Sequence, residues 1–86
     1  MKVSLATPDK VIFKMDGVES VKLAAHKGNV EILPRHTNYI SLILPGEVSV
    51  KASDQSWKKF EVSDGIAKVE SGAVSLLCTS AKALST

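Results

Sequence analysis

Apolar and polar residues alternate in short bursts along this chain, and small clusters of turn-forming residues separate the bursts. The strictest burst is Glu47-Val48-Ser49-Val50-Lys51. In an extended chain Val48 and Val50 face one side, and Glu47, Ser49 and Lys51 face the other. Ser20-Val21-Lys22-Leu23 alternates in the same way. Phe60 and Val62 share one side of the next run, and so do Ala67 and Val69. Val11-Ile12-Phe13 reads as a short strand closed by a turn at Met15-Asp16-Gly17. Val74-Ser75-Leu76-Leu77-Cys78 is more continuously apolar, so it reads as a strand buried on both faces.

The turn clusters are Thr7-Pro8-Asp9, Asp16-Gly17, Lys27-Gly28-Asn29, Pro45-Gly46, Ser53-Asp54-Gln55-Ser56, Asp64-Gly65 and Ser71-Gly72. Short strands at this spacing predict an all-β sandwich or barrel. Asp-Gly suits a tight hairpin turn because glycine tolerates positive φ. Asp64-Gly65 is therefore expected to join the strand ending at Val62 to the one starting at Ile66. Ser71-Gly72 is expected to join Val69 to Val74, making residues 57–79 a three-stranded meander. The pattern divides the chain into a β domain over residues 1–80 and a short tail over 81–86. Over residues 80–86 Ser80 could cap a helix, and Ala, Lys and Leu favour one. Seven residues are too few for a stable isolated helix, so a frayed end or the stump of a further element is expected.

Eighty-six residues suffice for one domain, and 44% hydrophobic content suffices for a core. Aromatic residues are limited to Phe13, Tyr39, Trp57 and Phe60, so Val, Ile, Leu and Ala must fill that core. A net charge of +2 is too mild to argue for nucleic acid or an anionic membrane. One cysteine excludes an internal disulfide and fits a reducing compartment. The longest apolar run, residues 39–44, stops at Pro45, well short of the roughly 18 residues of a membrane span. The N-terminus lacks the apolar stretch of a signal peptide. These features fit a soluble intracellular protein.

Tests for chemistry fail. His26 and His36 are the only histidines, and neither forms a ligand pair with Cys78, so no metal site is expected. No serine sits in a nucleophile elbow, and Cys78 reads as a small buried hydrophobe. The five glycines are scattered, so no phosphate cradle forms and no cofactor is expected. Trp57-Lys58-Lys59-Phe60 has the aromatic-plus-lysine composition that oligonucleotide-binding barrels use. The bland reading, an exposed edge strand defended by lysines, outweighs it at this net charge. A nucleic-acid-binding barrel using Trp57, Lys58, Lys59 and Phe60 is the alternative function.

The segment Lys27-Gly28-Asn29-Val30-Glu31-Ile32-Leu33-Pro34-Arg35-His36 is the most informative one. It follows Leu5-Ala6-Thr7-Pro8 by about twenty residues. With Ile12-Phe13, Pro45-Gly46, Asp64-Gly65 and Val74-x-Leu76-Leu77 in this order, it resembles the N-terminal β-sandwich domain of the epsilon subunit of rotary ATP synthase. The resemblance runs from Lys2 to Cys78. It implies a sandwich or flattened barrel of two antiparallel sheets with about ten short strands. It also implies a non-catalytic subunit that couples the gamma stalk to the membrane rotor ring during ion-driven ATP synthesis. Such a subunit would be peripheral, on the cytoplasmic face of the energy-transducing membrane, and monomeric when isolated.

By this resemblance Thr7, His36 and Ser41 are gamma-subunit candidates, and Gly28, Asn29 and Glu31 are rotor-ring candidates. Three positions depart from the family pattern. Asn29 stands where an acidic residue is usual, Glu31 where a small residue is usual, and Arg35 where glycine is usual. In extended backbone, positions 29 and 31 point the same way, so Glu31 is expected to supply the carboxylate that Asn29 lacks. Typical members also continue into a C-terminal helical hairpin. The 86-residue chain is expected not to inhibit ATP hydrolysis by extending such helices.

Overall fold

In a computed structural model, residues 1–26, 28–35 and 38–84 are described and form ten strands. They are β1 (Lys2–Ala6), β2 (Val11–Met15), β3 (Val18–Ala25), β4 (Gly28–Ile32), β5 (Tyr39–Ile43), β6 (Gly46–Ala52), β7 (Trp57–Val62), β8 (Gly65–Glu70), β9 (Ala73–Cys78) and β10 (Ala81–Leu84). The hydrogen-bonded order is β10-β7-β6-β3-β5-β8-β9-β1-β2, with β4 on β3. The result is the all-β sandwich that the alternation predicts.

Two halves pack face to face. One contains β4, β3, β6, β7 and β10, and the other β5, β8, β9, β1 and β2. They meet where Ala25 of β3 pairs with Ile43 of β5. The His26 N–H donates to the Leu42 carbonyl (3.2 Å), and the Leu44 N–H to the Ala24 carbonyl (2.8 Å). At the far side β2 and β7 close the wrap through a tilted contact of Phe13 and Phe60, ring centroids 4.9 Å apart. One pair departs from antiparallel pairing. β1 runs parallel to β9, Val3 beside Val74 and Leu5 beside Leu76. Parallel neighbours need a long connection, and most of the chain lies between these two strands.

Val48, Val50, Val21, Leu23, Phe60, Val62, Ala67 and Val69 are all buried, as their alternation predicts. Val3, Leu5, Val18, Ile32, Ile43, Val74, Leu76 and Cys78 complete the core. Burying a Val or Leu contributes about 1.5–3 kcal/mol each, so this aliphatic layer is the main stabilising term.

Three expectations fail. The meander breaks at Asp64-Gly65, because both edges of β7 are taken by β6 and β10, and both edges of β8 by β5 and β9. The chain crosses there from one half of the sandwich to the other. Gly65 serves a close approach rather than a positive φ: a Cβ would lie 2.2 Å from the Leu77 carbonyl oxygen and 2.8 Å from the Cys78 Cα. The hairpin at Ser71-Gly72 does form, with φ of 50° and 78°, the left-handed pair that a tight primed turn requires.

Second, β9 is buried on one face only. Val74, Leu76 and Cys78 point inward, while Ser75 and Leu77 are exposed. Third, the expected frayed end is strand β10. It pairs with β7, Ala81 with Val62 and Ala83 with Phe60, so an open sheet edge overrides local helix propensity.

Candidate docking faces

Period 2 carries every second residue of β5, β8, β9 and β1 to the outside, and a register shift between Leu5 and Ala6 brings Val11 of β2 to the same face. The registers align them in a row. Leu42 pairs with Ile66, Ile66 with Leu77, Leu77 with Ala6, and Ala6 with Val11. Leu42 is 56% exposed, Ile66 48%, Leu77 51% and Val11 62%. Ile40 and Leu44, two residues to either side of Leu42 on the same face, are exposed as well. Isolated exposed apolar side chains are ordinary, but a contiguous row across five strands marks a surface made to be covered.

The opposite half is polar outside. Glu31 pairs with Lys22, Lys22 with Ser49, and Ser49 with Lys59. Lys22, Asn29, Glu31, Glu47 and Ser49 line an open groove of about 460 Å³. Asn29 and Glu31 thus share one groove, as their two-residue spacing predicts. The Glu31 carboxylate is held: Ser20, 3% exposed, donates its hydroxyl to Oε2 at 2.7 Å. A register shift between Val18 and Ser20 accompanies this buried hydroxyl on β3. Lys59 and Glu47 form an exposed ion pair at 3.7 Å, which contributes little to stability.

The remaining site candidates distribute as follows. Thr7 lies in the β1–β2 turn, where its N–H and Oγ1 both donate to the Lys10 carbonyl. Ser41, half-buried on β5, pairs with Ala67 and donates to the Leu42 carbonyl at 3.2 Å, while its neighbours Ile40 and Leu42 face out. Gly28 opens β4 with φ of 120°. His36 lies outside the described residues. Thr7 and Ser41 therefore sit on the half that carries the apolar row, and Gly28, Asn29 and Glu31 on the other.

Residues 57–60 do not form a stacking platform. Phe60 is 4% exposed and packs on Phe13. The Trp57 ring is approached by Lys22 Nζ at 5.1 Å and Lys51 Nζ at 5.9 Å. Burial pushes the Cys78 thiol above its ordinary value, with a smaller push from the Asp64 carboxylate, so it stays protonated and is a poor nucleophile. The apolar row escaped the sequence reading. Its one signal was the pair of doubly apolar runs around Leu42 and Leu77, and an outward leucine reads the same whether its own core or another molecule covers it.

The family described as ATP synthase, Delta/Epsilon chain, beta-sandwich domain, matches residues 1–83. An ATP synthase epsilon chain of Clostridium novyi is 32% identical over 81 residues, 94% of this chain and 61% of the relative. One from Ruminococcus albus is 35% identical over 80 residues, 93% of this chain and 58% of the relative. The chain thus spans about three fifths of the length of these relatives. A chain of the Euglena gracilis mitochondrial ATP synthase superposes with a TM-score of 0.88 at 22% identity, over 94% of this chain and 51% of that one. A chain of the Tetrahymena thermophila mitochondrial ATP synthase central stalk and c-ring superposes with a TM-score of 0.78 at 17% identity, over 95% and 65%. The ten-strand sandwich and the match over residues 1–83 place this chain in the delta/epsilon β-sandwich family of ATP synthase.

Proposed function

We propose that this chain is a non-catalytic subunit of a rotary ATP synthase that ties the gamma stalk to the membrane rotor ring. The observation that carries the reading is family membership over residues 1–83, joined to two opposed outer faces of different chemistry. A coupling element must grip two partners at once and must not bend between them. A closed aliphatic sandwich meets the second need, because close-packed interiors have low compressibility.

In this reading the half of the sandwich that carries Leu42, Ile66 and Leu77 meets gamma, with Thr7, His36 and Ser41 as the contact candidates. The hairpin of β3 and β4 with Gly28, Asn29 and Glu31 meets polar loops of the ring. Glu31, steadied by Ser20, stands in for the carboxylate missing at Asn29. The complex would be peripheral to the energy-transducing membrane, on its cytoplasmic face. The buried Phe60 removes half of the aromatic pair on which the oligonucleotide reading depends.

Calorimetric titration with gamma subunit from the same source tests the proposal. One-to-one binding that weakens with His36→Ala and Ser41→Trp supports it. An absence of heat with folded gamma rejects it.

A further inference from the structure

The outer face of β8, β9, β1 and β2 carries a second feature beside the apolar row. Lys68 pairs with Ser75, Ser75 with Ser4, and Ser4 with Lys14, so two serines lie side by side between two lysines. Lys2 precedes Ser4 by two residues on the same face, about 6.6 Å along the strand. Its neighbour on β9 is Ala73. The short side chains of Ser4, Ala73 and Ser75 leave an open hollow of about 400 Å³, and Lys2 and Lys14 line it too. The floor is fixed. Val3 and Val74 run beneath it with their side chains in the core, and the Lys2 N–H donates to the Gly72 carbonyl at 3.1 Å.

The polar groups of this hollow are mostly donors without acceptors. Among the described residues neither Lys2 nor Lys14 has an ion-pair partner, and the hydroxyls of Ser4 and Ser75 make no hydrogen bond. Lys68 is taken up by Glu70 at 3.6 Å. Asp16 is the one carboxylate on the lining, and its Oδ1 accepts the Gly17 N–H at 3.0 Å. Two free ammonium groups match the charge of a phosphate near neutral pH, and its several oxygens match the two hydroxyls. A carboxylate brings one charge and two oxygens, so it would leave a lysine unmatched. Lysine binds phosphate as a point charge and needs no rigid fork, which suits long stems on an open sheet.

We infer that this hollow is a phosphate site, in which Lys2 and Lys14 balance the charge and Ser4 and Ser75 donate to the oxygens. The ligand is orthophosphate or the phosphate of a small monoester. The site is open to water, so binding is weak and reversible, and salt screens it. The inference goes beyond the stalk reading and does not rest on it, since no partner subunit takes part.

Amide NMR of the purified chain, titrated with sodium phosphate at constant ionic strength, is the test. The expected result is saturable movement of the Ser4, Lys14, Ala73 and Ser75 signals, with a millimolar dissociation constant. Lys2→Gln and Lys14→Gln, at exposed positions, should each keep the folded spectrum and weaken binding several-fold. The two changes together should abolish it, while Lys82→Gln, on the other half, should leave it unchanged. Phenyl phosphate separates the two sources: tighter binding than orthophosphate assigns the site to a monoester, and weaker binding assigns it to the free ion. Signals that move no more with phosphate than with chloride overturn the inference, and so does binding that survives loss of both lysines. Acetate binding as tightly as phosphate also overturns it, in favour of an acidic segment of another protein. Failure of gamma to bind, with phosphate bound, rejects only the stalk reading.

Discussion

Ser20 is the one buried polar residue among those described, and its hydroxyl is satisfied only by reaching out to Glu31. Removing the hydroxyl with Ser20→Ala should cost about 1 kcal/mol and free the Glu31 side chain. Glu31→Leu should cost as much or more, because it strands a buried donor; thermal melts of the two variants check this order. Gly65 is constrained by space. Gly65→Ala drives a Cβ into the Leu77 carbonyl and should cost about 1–3 kcal/mol in a urea titration. Cys78 adds a pH dependence. The folded thiol holds its proton to higher pH than the unfolded one, because burial disfavours the thiolate. Its contribution is therefore full below the ordinary value of 9.0 and is lost as pH rises through the folded value. Stability should fall as pH is raised above that ordinary value, and the fall should be shallower in Cys78→Ala.

At the scale of strands, β10 has a definite task. It occupies the second edge of β7, and Ala81 packs against the core. Deleting residues 81–86 should cost about 1–3 kcal/mol and raise aggregation, because it leaves β7 with an open edge; denaturant titration and light scattering read the two effects. β10 also shows where sequence reading stops. Ala81-Lys82-Ala83-Leu84 favours a helix locally, and only a neighbouring edge makes it a strand. The opposite holds for β6, β7 and β8. Val48 and Val50, Phe60 and Val62, and Ala67 and Val69 each sit on the core side because a half-buried strand must alternate. The same rule put Asn29 and Glu31 into one groove. Pairing partners were less legible. Asp64-Gly65 and Ser71-Gly72 look alike as turn sequences, yet one is a crossover and the other a hairpin. The difference lies in which strand edges are already filled, which no local pattern encodes. Leu77 was misassigned for a related reason, since an apolar run does not say which of its side chains the chain's own core covers.

For the whole molecule, the proposed function assigns the two outer faces to different partners and gives the close-packed core between them the task of transmitting force without bending. Variants on one face should leave the other partner's binding unchanged. Leu42→Asp, at a half-exposed position, should leave the fold intact and weaken gamma binding about a hundredfold, as truncations at the centre of an interface do. Glu31→Gln should leave gamma binding unchanged and weaken attachment to the ring. The most direct measurement is a cryo-electron microscopy map of this chain reconstituted with the gamma stalk and rotor ring of the same source. The account predicts gamma density over Leu42, Ile66 and Leu77, and ring density at Gly28, Asn29 and Glu31. A map in which the apolar row faces solvent, or in which the β3–β4 hairpin touches neither partner, would contradict it.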